Sequence, residues 1–334
     1  MSTTVHHKRK FFDFFPIPKF LEMPSVGIDI SDQAIRFVEI VHSESGKQKF
    51  HLKAFGEKKL PVGVVAGEFI SKPENVKEIL TDIHKKNGHK FACVSLPEEK
   101  GYLFKIDLPN IDKKYFSENI EFRLEENVPL DAAKSVFDYN VISSHDATRL
   151  NDAVVTVVQN KVIDFYSELF NSAGFAPVSY ELVTQAVARA VVPRGETETC
   201  LIIYIGNSRA GFGIVSDGAL QFTSTVNIGN AVDDTDVEKK RSMIKDEVAK
   251  LNLYWQSHVE KDELLIKKVI LSGRGATESG LKEYLAEAAA CQVILANVWV
   301  NVFNFEEQIP EISFEDSLDY APAIGLALSR FYHA

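Results

Sequence analysis

Apolar and polar residues alternate near the start of the chain in a pattern typical of two short strands joined by a tight turn. Val26, Ile28 and Ile30 share one face of the first strand, and a second apolar run follows at residues 34–40. Asp29 is unusual there, because a carboxylate inside an apolar strand costs free energy unless it is paired. The pattern predicts a β-hairpin whose aspartate either faces a ligand or bonds its own turn. The hairpin alone favours the second interpretation.

Further along, the spacing of apolar residues predicts strands that alternate with helices. Residues 49–60 form a third strand, and residues 91–96 form a strand of the buried type. Between them, residues 73–87 place their apolar side chains on one face of a helix, and Gly88 is suited to end that helix. The order β-β-β-α-β predicts an α/β unit with a twisted mixed sheet.

A segment of different character follows this unit. Its spacing predicts a strand, a helix, two strands and a second helix, in this order: 101–108, 113–127, 136–142, 153–158 and 161–173. We expect these elements to form a compact module inserted into the first domain. That domain then resumes with a strand and a helix over residues 177–192.

The second half of the chain repeats the opening plan. It begins with three short predicted strands (200–206, 210–216 and 220–226) and a helix (239–259). A strand (269–272), a flexible turn (273–275), a helix (280–290), a strand (292–295) and a last helix (321–330) follow. Asp217-Gly218 is a strong signal for a hairpin between the second and third of these strands. Duplication at this scale predicts two lobes with a cleft between them.

Length and composition are those of an ordinary globular chain with about two domains. The chain has 334 residues, of which 45% are hydrophobic. Its formal net charge of −10 argues against a general nucleic-acid-binding protein, which needs a basic surface for phosphates. The scattered cysteines Cys93, Cys200 and Cys291 predict buried thiols in a reducing compartment. The histidines are too scattered to indicate a metal site.

Residues 1–23 have the composition of an N-terminal arm. Basic and aromatic side chains fill residues 8–15, and prolines follow at 16 and 18. The aromatic rings either enter an anionic membrane surface or pack on their own domain, and the second interpretation is favoured. The arm is too short and too charged for a signal peptide, and no run of about 20 apolar residues predicts a transmembrane helix.

Three short stretches occur in the order of the two phosphate-binding hairpins and the adenosine loop of actin-like ATPases. They are residues 27–31 with Arg36, residues 203–208 with Asp217-Gly218, and residues 270–275. From about residue 24 to 330 the chain resembles the PilM family of type IV pilus assembly proteins, which are relatives of FtsA. No single motif is strong, and it is the joint order and spacing that make the resemblance specific.

The resemblance implies an α/β, actin-like (ribonuclease H-like) bilobed fold with an inserted strand–helix–strand–strand module. The expected domains are an aromatic and basic arm (1–23), a first lobe in two pieces (24–96 plus 176–199), an inserted partner-binding module (97–175) and a second lobe (200–334).

The resemblance also implies a nucleotide cleft that would take ATP and Mg²⁺. In such a cleft, backbone N–H groups of the hairpin turns hold phosphates, and a carboxylate holds magnesium through water. The positions that match the family's nucleotide-binding motifs are Asp29, Ser31, Arg36, Gly206, Asn207, Ser208, Gly273 and Gly275, with Asp29 as the candidate for magnesium.

Several positions depart from the family pattern. Ser31 replaces the usual turn glycine, Tyr204 replaces the second carboxylate, and Arg209 follows where small hydroxyl residues are usual. Arg274 stands between the two glycines of the third loop, and residues 229–243 are short and acidic where the family has a helical subdomain. We therefore expect weak or absent nucleotide binding, negligible hydrolysis and no catalytic residue.

The resemblance implies a cytoplasmic protein that associates with the inner membrane through partners. The expected partner is the N-terminal tail of a PilN-like inner-membrane protein, bound within residues 97–175, and the pilus motor ATPases are further candidates. Within that module, Phe116, Ile120 and Leu124 either contact the tail or pack on their own sheet, and packing is favoured.

Two other functions fit the sequence less well. An active ATPase or sugar kinase is disfavoured by Tyr204 and by the short acidic stretch 229–243. A division protein of the FtsA kind is disfavoured because the sequence ends directly after its last predicted helix.

Overall fold

The computed structural model describes residues 23–42, 50–109, 111–143, 151–229, 234–259, 264–304 and 309–331. Nearly all of the predicted N-terminal arm, including residues 8–15, lies outside these ranges. No helix in the described ranges is long and apolar enough to cross a membrane. The three cysteines are free thiols, and burial is complete for Cys93 and Cys200.

The first lobe is built on a five-stranded sheet. Its elements in chain order are β1 (Ser25–Ile30), β2 (Ala34–His42), β3 (Phe50–Lys59), β4 (Val65–Ala66), β5 (Phe69–Ile70), α1 (Pro73–Asn87) and β6 (Phe91–Leu96). After the module described next, the chain returns to this lobe with two further helices and the fifth strand of the sheet.

A module with its own small core interrupts the first lobe. It contains β7 (Gly101–Leu108), α2 (Phe116–Asn127), β8 (Ser135–Ser143) and β9 (Asn151–Gln159). These strands form a sheet of order β7-β9-β8, and α2 packs on one face of it. Phe116, Ile120 and Leu124 are buried against that sheet, so the favoured packing interpretation of these side chains agrees with the structure.

The first lobe is completed by α3 (Asn160–Ser172), β10 (Ala176–Leu182) and α4 (Val183–Val191). The strand order is β10-β6-β1-β2-β3, with β1 antiparallel to β2 and parallel to β6. Leu169 and Phe170 of α3 share a core with α1 and this sheet. The predicted domain division stays a prediction, and the packing of α3 favours a module that ends before Asn160.

The second lobe repeats the first. Its elements are β11 (Cys200–Ile205), β12 (Arg209–Ser216), β13 (Ala219–Asn227), α5 (Asp234–His258), β14 (Lys268–Ser272), α6 (Leu281–Ala289), β15 (Gln292–Leu295), α7 (Phe314–Ser317) and α8 (Ala321–Ser329). The order β13-β12-β11-β14-β15 has the same sequence of antiparallel and parallel neighbours as the first sheet. The predicted duplication is therefore present in the strand topology.

Three local predictions differ from the structure. The chain between β3 and α1, for which the sequence predicts no helix or strand, contains the small β4–β5 hairpin. Residues 274–277 form a 3-10 helix where the sequence predicts a flexible turn. Helix α5 begins at Asp234, five residues before its predicted start. Acidic residues favour the first turn of a helix because they complement its dipole, which explains why this acidic stretch is helical rather than a loop.

Helices α4 and α8 lie between the two sheets and cross in close contact. A side chain on Gly325 of α8 would overlap the backbone carbonyl of Ala186 in α4. A side chain on Gly27 of β1 would likewise overlap the carbonyl of Ala323. The two lobes are therefore joined where glycine allows backbone to touch backbone.

Replacing Gly325 by alanine is expected to lower the free energy of unfolding by about 3 kcal/mol or more, because neither backbone can yield without moving a helix. Urea unfolding followed by circular dichroism measures this change. Gly211→Ala is the matched control, since its new methyl group would meet only the Thr184 hydroxyl at 3.3 Å. Equal stability of the two variants would contradict the packing argument.

Candidate functional site

A cavity of about 230 Å³ lies between the two lobes. It is bordered by the β1–β2 turn, the β11–β12 turn, the loop after β14 and the first residues of α4. Seven of the eight predicted site residues line it: Asp29, Ser31, Arg36, Gly206, Asn207, Ser208 and Gly275. Gly273 is not among the lining residues. The sequence motifs thus meet at one cleft although they are far apart in the chain.

The β1–β2 hairpin places Asp29 at the floor of the cleft. The carboxylate is buried, and its Oδ1 accepts a hydrogen bond from the Ser95 hydroxyl at 2.7 Å. Burial raises the pKa of Asp29, while the Ser95 hydrogen bond and the charge of Arg36 act in the opposite direction. Asp29 therefore faces the cleft, and it does not bond its own turn. The turn is closed by Ser31, whose hydroxyl donates to the Ala34 carbonyl at 2.9 Å.

The second hairpin lacks the carboxylate that would mirror Asp29. Tyr204 stands at the end of β11, and its hydroxyl donates to the backbone carbonyl of Asp319 at 3.5 Å. Burial raises the pKa of Tyr204 well above its usual range, so this side chain is a neutral phenol at physiological pH. It offers no negative charge with which to organise a hydrated cation.

Two contacts tie the turns of the hairpins across the cleft. The Ser208 hydroxyl in the β11–β12 turn donates to Asp32 Oδ2 in the β1–β2 turn at 2.6 Å. Arg209 forms an ion pair with Glu99 and lies against Gly67 of the β4–β5 hairpin. The turns that would hold phosphates in this fold are thus bonded to the opposite lobe.

Two arginines of the cleft, Arg36 and Arg274, are paired with carboxylates of the chain itself. Arg36 Nε donates to Glu57 Oε2 at 2.8 Å, and Arg36 Nη2 donates to Asp319 Oδ2 at 2.9 Å. Arg274 Nε donates to the same Asp319 oxygen at 3.0 Å. Arg36 and Asp319 are only 3% and 4% exposed, so the bond between them is shielded from water, whereas the Arg274 side chain is 60% exposed.

The glycines of the third loop have a packing role. Gly273 has φ +82°, and a side chain on it would meet the Ile205 carbonyl oxygen at 2.5 Å. A side chain on Gly275 would overlap the Ile205 side chain. These glycines let the loop after β14 lie directly on β11, which is sufficient reason for glycine at both positions.

Sequence reasoning missed several residues that shape the cleft. Glu98 Oε2 accepts the Thr184 backbone N–H at 3.1 Å and so caps the N-terminus of α4, while burial raises the pKa of Glu98. Lys240 of α5 and Asp319 also line the cavity. None of these positions belongs to a motif, and Glu98 and Thr184 are 86 positions apart. Only the long-range fold brings them together.

Contacts within the chain hold the cleft together: its arginines are paired with carboxylates, its two hairpin turns are bridged, and Tyr204 stands where the first hairpin has Asp29. In the described ranges, no three or more histidine, cysteine, aspartate or glutamate side chains are grouped so that they could hold a metal ion.

Comparison with known proteins identifies the family. The sequence model of the family described as "Type IV pilus assembly protein PilM" matches residues 27–252, which is more than half of the chain. No curated protein matches the sequence.

Two solved structures show what the fold is similar to. The PilM-PilN type IV pilus biogenesis complex has a TM-score of 0.73 at 16% identity, covering 91% of this chain and 98% of that one. MreB 5 of Spiroplasma citri bound to AMPPNP has a TM-score of 0.50 at 10% identity, covering 92% and 96%. At these identities the likeness establishes the fold, and it confirms the predicted actin-like architecture. Together with the family match, it shows that the chain belongs to the type IV pilus assembly protein PilM family.

Proposed function

We propose that the chain is a cytoplasmic scaffold of type IV pilus assembly that binds the N-terminal tail of a PilN-like inner-membrane protein. The family match carries this proposal, and the likeness to a PilM-PilN complex supports it. Binding to that protein associates the chain with the inner membrane, and pilus motor ATPases are further partners. The net charge of −10 disfavours nucleic acid as a partner.

The tail binds within residues 97–175. Because Phe116, Ile120 and Leu124 are core residues, they are not available to a partner. Strand β8 offers an alternative, since β9 is its one strand neighbour in the described part of the chain. Val136 and Val141 on β8 are 47% and 40% exposed. An extended tail adding along β8 would gain main-chain hydrogen bonds and contacts with these valines.

The cleft is a degenerate nucleotide site, with weak binding and no hydrolysis. The paired arginines, the bridged turns and the neutral Tyr204 support this proposal. Each missing or occupied contact weakens binding by about 1–3 kcal/mol, so that several together bring a micromolar affinity into the millimolar range.

ATP binding with Mg²⁺ at Asp29 is the second candidate function. The cavity between the predicted motifs favours this function. The structure of MreB 5, which has a similar fold, was solved with AMPPNP bound. A division protein of the FtsA kind has no feature in the described residues that favours it over these two.

Replacing Val136 and Val141 together by lysine is expected to weaken binding of a fluorescent PilN-tail peptide from the same organism about tenfold or more, since both apolar contacts would be lost. Fluorescence anisotropy measures the affinity. Val178→Lys is the matched control, because Val178 is 41% exposed on β10, outside the module. Loss of binding in the control alone would place the tail elsewhere.

Titration of the natural chain with Mg-ATP in a calorimeter is expected to give a dissociation constant in the millimolar range, because the cleft's donors are already bonded. Phosphate release is expected to equal that of buffer. An actin-like ATPase titrated in parallel shows that the assay detects tight binding. A low-micromolar constant for this chain would overturn the proposed degenerate site.

Asp29→Asn is expected to raise the melting temperature at neutral pH, because the amide needs neither a buried charge nor a bound proton, and its oxygen still accepts from Ser95. The folded-state pKa of Asp29 lies above its ordinary value of 3.8, so the folded chain binds this proton more tightly than the unfolded chain does. The cost of the charged form is therefore present in full above the folded pKa and disappears as the pH falls toward 3.8. Melting curves across this range should show the advantage of the variant shrinking on acidification. A constant difference at every pH would mean that Asp29 is not destabilised by burial.

A further inference from the structure

We propose that Arg36 and Arg274 form a latent site for a polyphosphate anion, and that the chain fills this site with its own Asp319 carboxylate. The proposal rests on the degenerate cleft described above, and it explains what holds that cleft in its present state.

Asp319 receives donors from both lobes. Its Oδ2 accepts from Arg36 Nη2 on β2 at 2.9 Å and from Arg274 Nε at 3.0 Å. Its Oδ1 accepts the Arg274 backbone N–H at 2.5 Å. This N–H opens the 3-10 helix Arg274–Thr277. One carboxylate thus holds a guanidinium from the first lobe together with a guanidinium and an amide from the second.

This donor set is the one that proteins use for phosphate oxygens. Guanidinium groups bind phosphate through paired, charge-assisted hydrogen bonds, and a single backbone N–H can add a further hydrogen bond to an anionic oxygen. A carboxylate has the same charge sign and the same planar pair of acceptor atoms as one edge of a phosphate group. Asp319 therefore occupies three donors that an incoming anion would seek here, namely Arg36 Nη2, Arg274 Nε and the Arg274 backbone N–H.

The site is accessible once the carboxylate is removed. Arg36, Arg274 and Asp319 all line the cavity between the lobes, and the Arg274 side chain is 60% exposed. The backbone does not depend on the carboxylate alone, because Gly273 N–H donates to the Leu318 carbonyl at 3.1 Å. Arg36 also keeps Glu57 as a partner at 2.8 Å. Truncating Asp319 should leave a folded chain with a vacant anion position.

Other carboxylates limit the affinity of the opened site. Asp29 and Asp32 line the same cavity and would repel a polyanion, whereas Lys240 would attract one. The probe is therefore inorganic pyrophosphate with Mg²⁺, so that its charge is partly neutralised.

The experiment compares the natural chain with Asp319→Ala by calorimetric titration with magnesium pyrophosphate. We expect Asp319→Ala to bind at least about tenfold more tightly, because two charge-assisted donors become free. The double variant Asp319→Ala/Arg274→Ala should lose this gain. Glu57→Ala removes the other carboxylate on Arg36 but leaves Asp319 in place, so it should show no gain.

Unchanged affinity of a folded Asp319→Ala, or an equal gain in Glu57→Ala, would overturn the proposal. If Asp319→Ala does not fold alone, its folding is scored with pyrophosphate and with sodium chloride of equal ionic strength. Rescue by pyrophosphate alone supports the site, and failure of pyrophosphate to rescue overturns it. A parallel titration of Asp319→Ala with ADP distinguishes a nucleotide from a free polyphosphate. Binding of either ADP or pyrophosphate supports the site. If ADP binds more tightly than pyrophosphate, the ligand of the site is a nucleotide.

Tight binding of magnesium pyrophosphate or ADP by the natural chain would instead refute the proposal that the cleft is degenerate. The two failures are therefore distinguishable, because one is read from the natural chain and the other from the difference between variants.

Discussion

The crossing of α4 and α8 is the constraint on which the rest of the structure depends. Gly325 brings α8 onto the carbonyl of Ala186, and Gly27 brings β1 onto α8. Each lobe is thereby held against the same pair of helices, and the cleft opens on one side of that contact. The 3-10 turn Leu318–Tyr320, which carries Asp319, directly precedes α8. The position of the central carboxylate in the cleft is therefore fixed by the packing of the helix that follows it.

The charges of the cleft follow from this arrangement. A buried arginine is stable only if a carboxylate reaches it, and Arg36 has two, one from its own lobe and one from the segment before α8. Such internal pairing satisfies the buried guanidinium and links the two lobes. The same physical requirement, compensation of buried charge, is met here within the chain.

The fold could be largely predicted from the sequence because its signals are local. Alternating apolar residues gave the hairpins, the Asp217-Gly218 turn has the positive φ angles such a turn needs, and the repeated order of strands gave two lobes. The acidic start of α5 escaped prediction, since its sequence is equally typical of a loop.

In the cleft, the sequence predicts the motif positions but not the side chains that pair with them. Asp319 is 283 positions from Arg36, and no local pattern marks that pair. The packing of the third-loop glycines against Ile205 could not be predicted either, because it is visible only in three dimensions.

The floor and the mouth of the cleft differ in their contact with water, and ionic strength should separate them. The pair between Arg36 and Asp319 is shielded from solvent, with side chains 4% and 5% exposed, whereas Arg209 and Glu99 at the mouth are 27% and 28% exposed. Dissolved salt screens exposed charges over about 10 Å at 0.1 M and reaches buried ones far less. Rising salt would therefore loosen the mouth while the floor stays closed. The lobes would then move about the closed floor of the cleft as a hinge. The salt concentration would change how easily this hinge opens, but it would not change the position of the hinge axis.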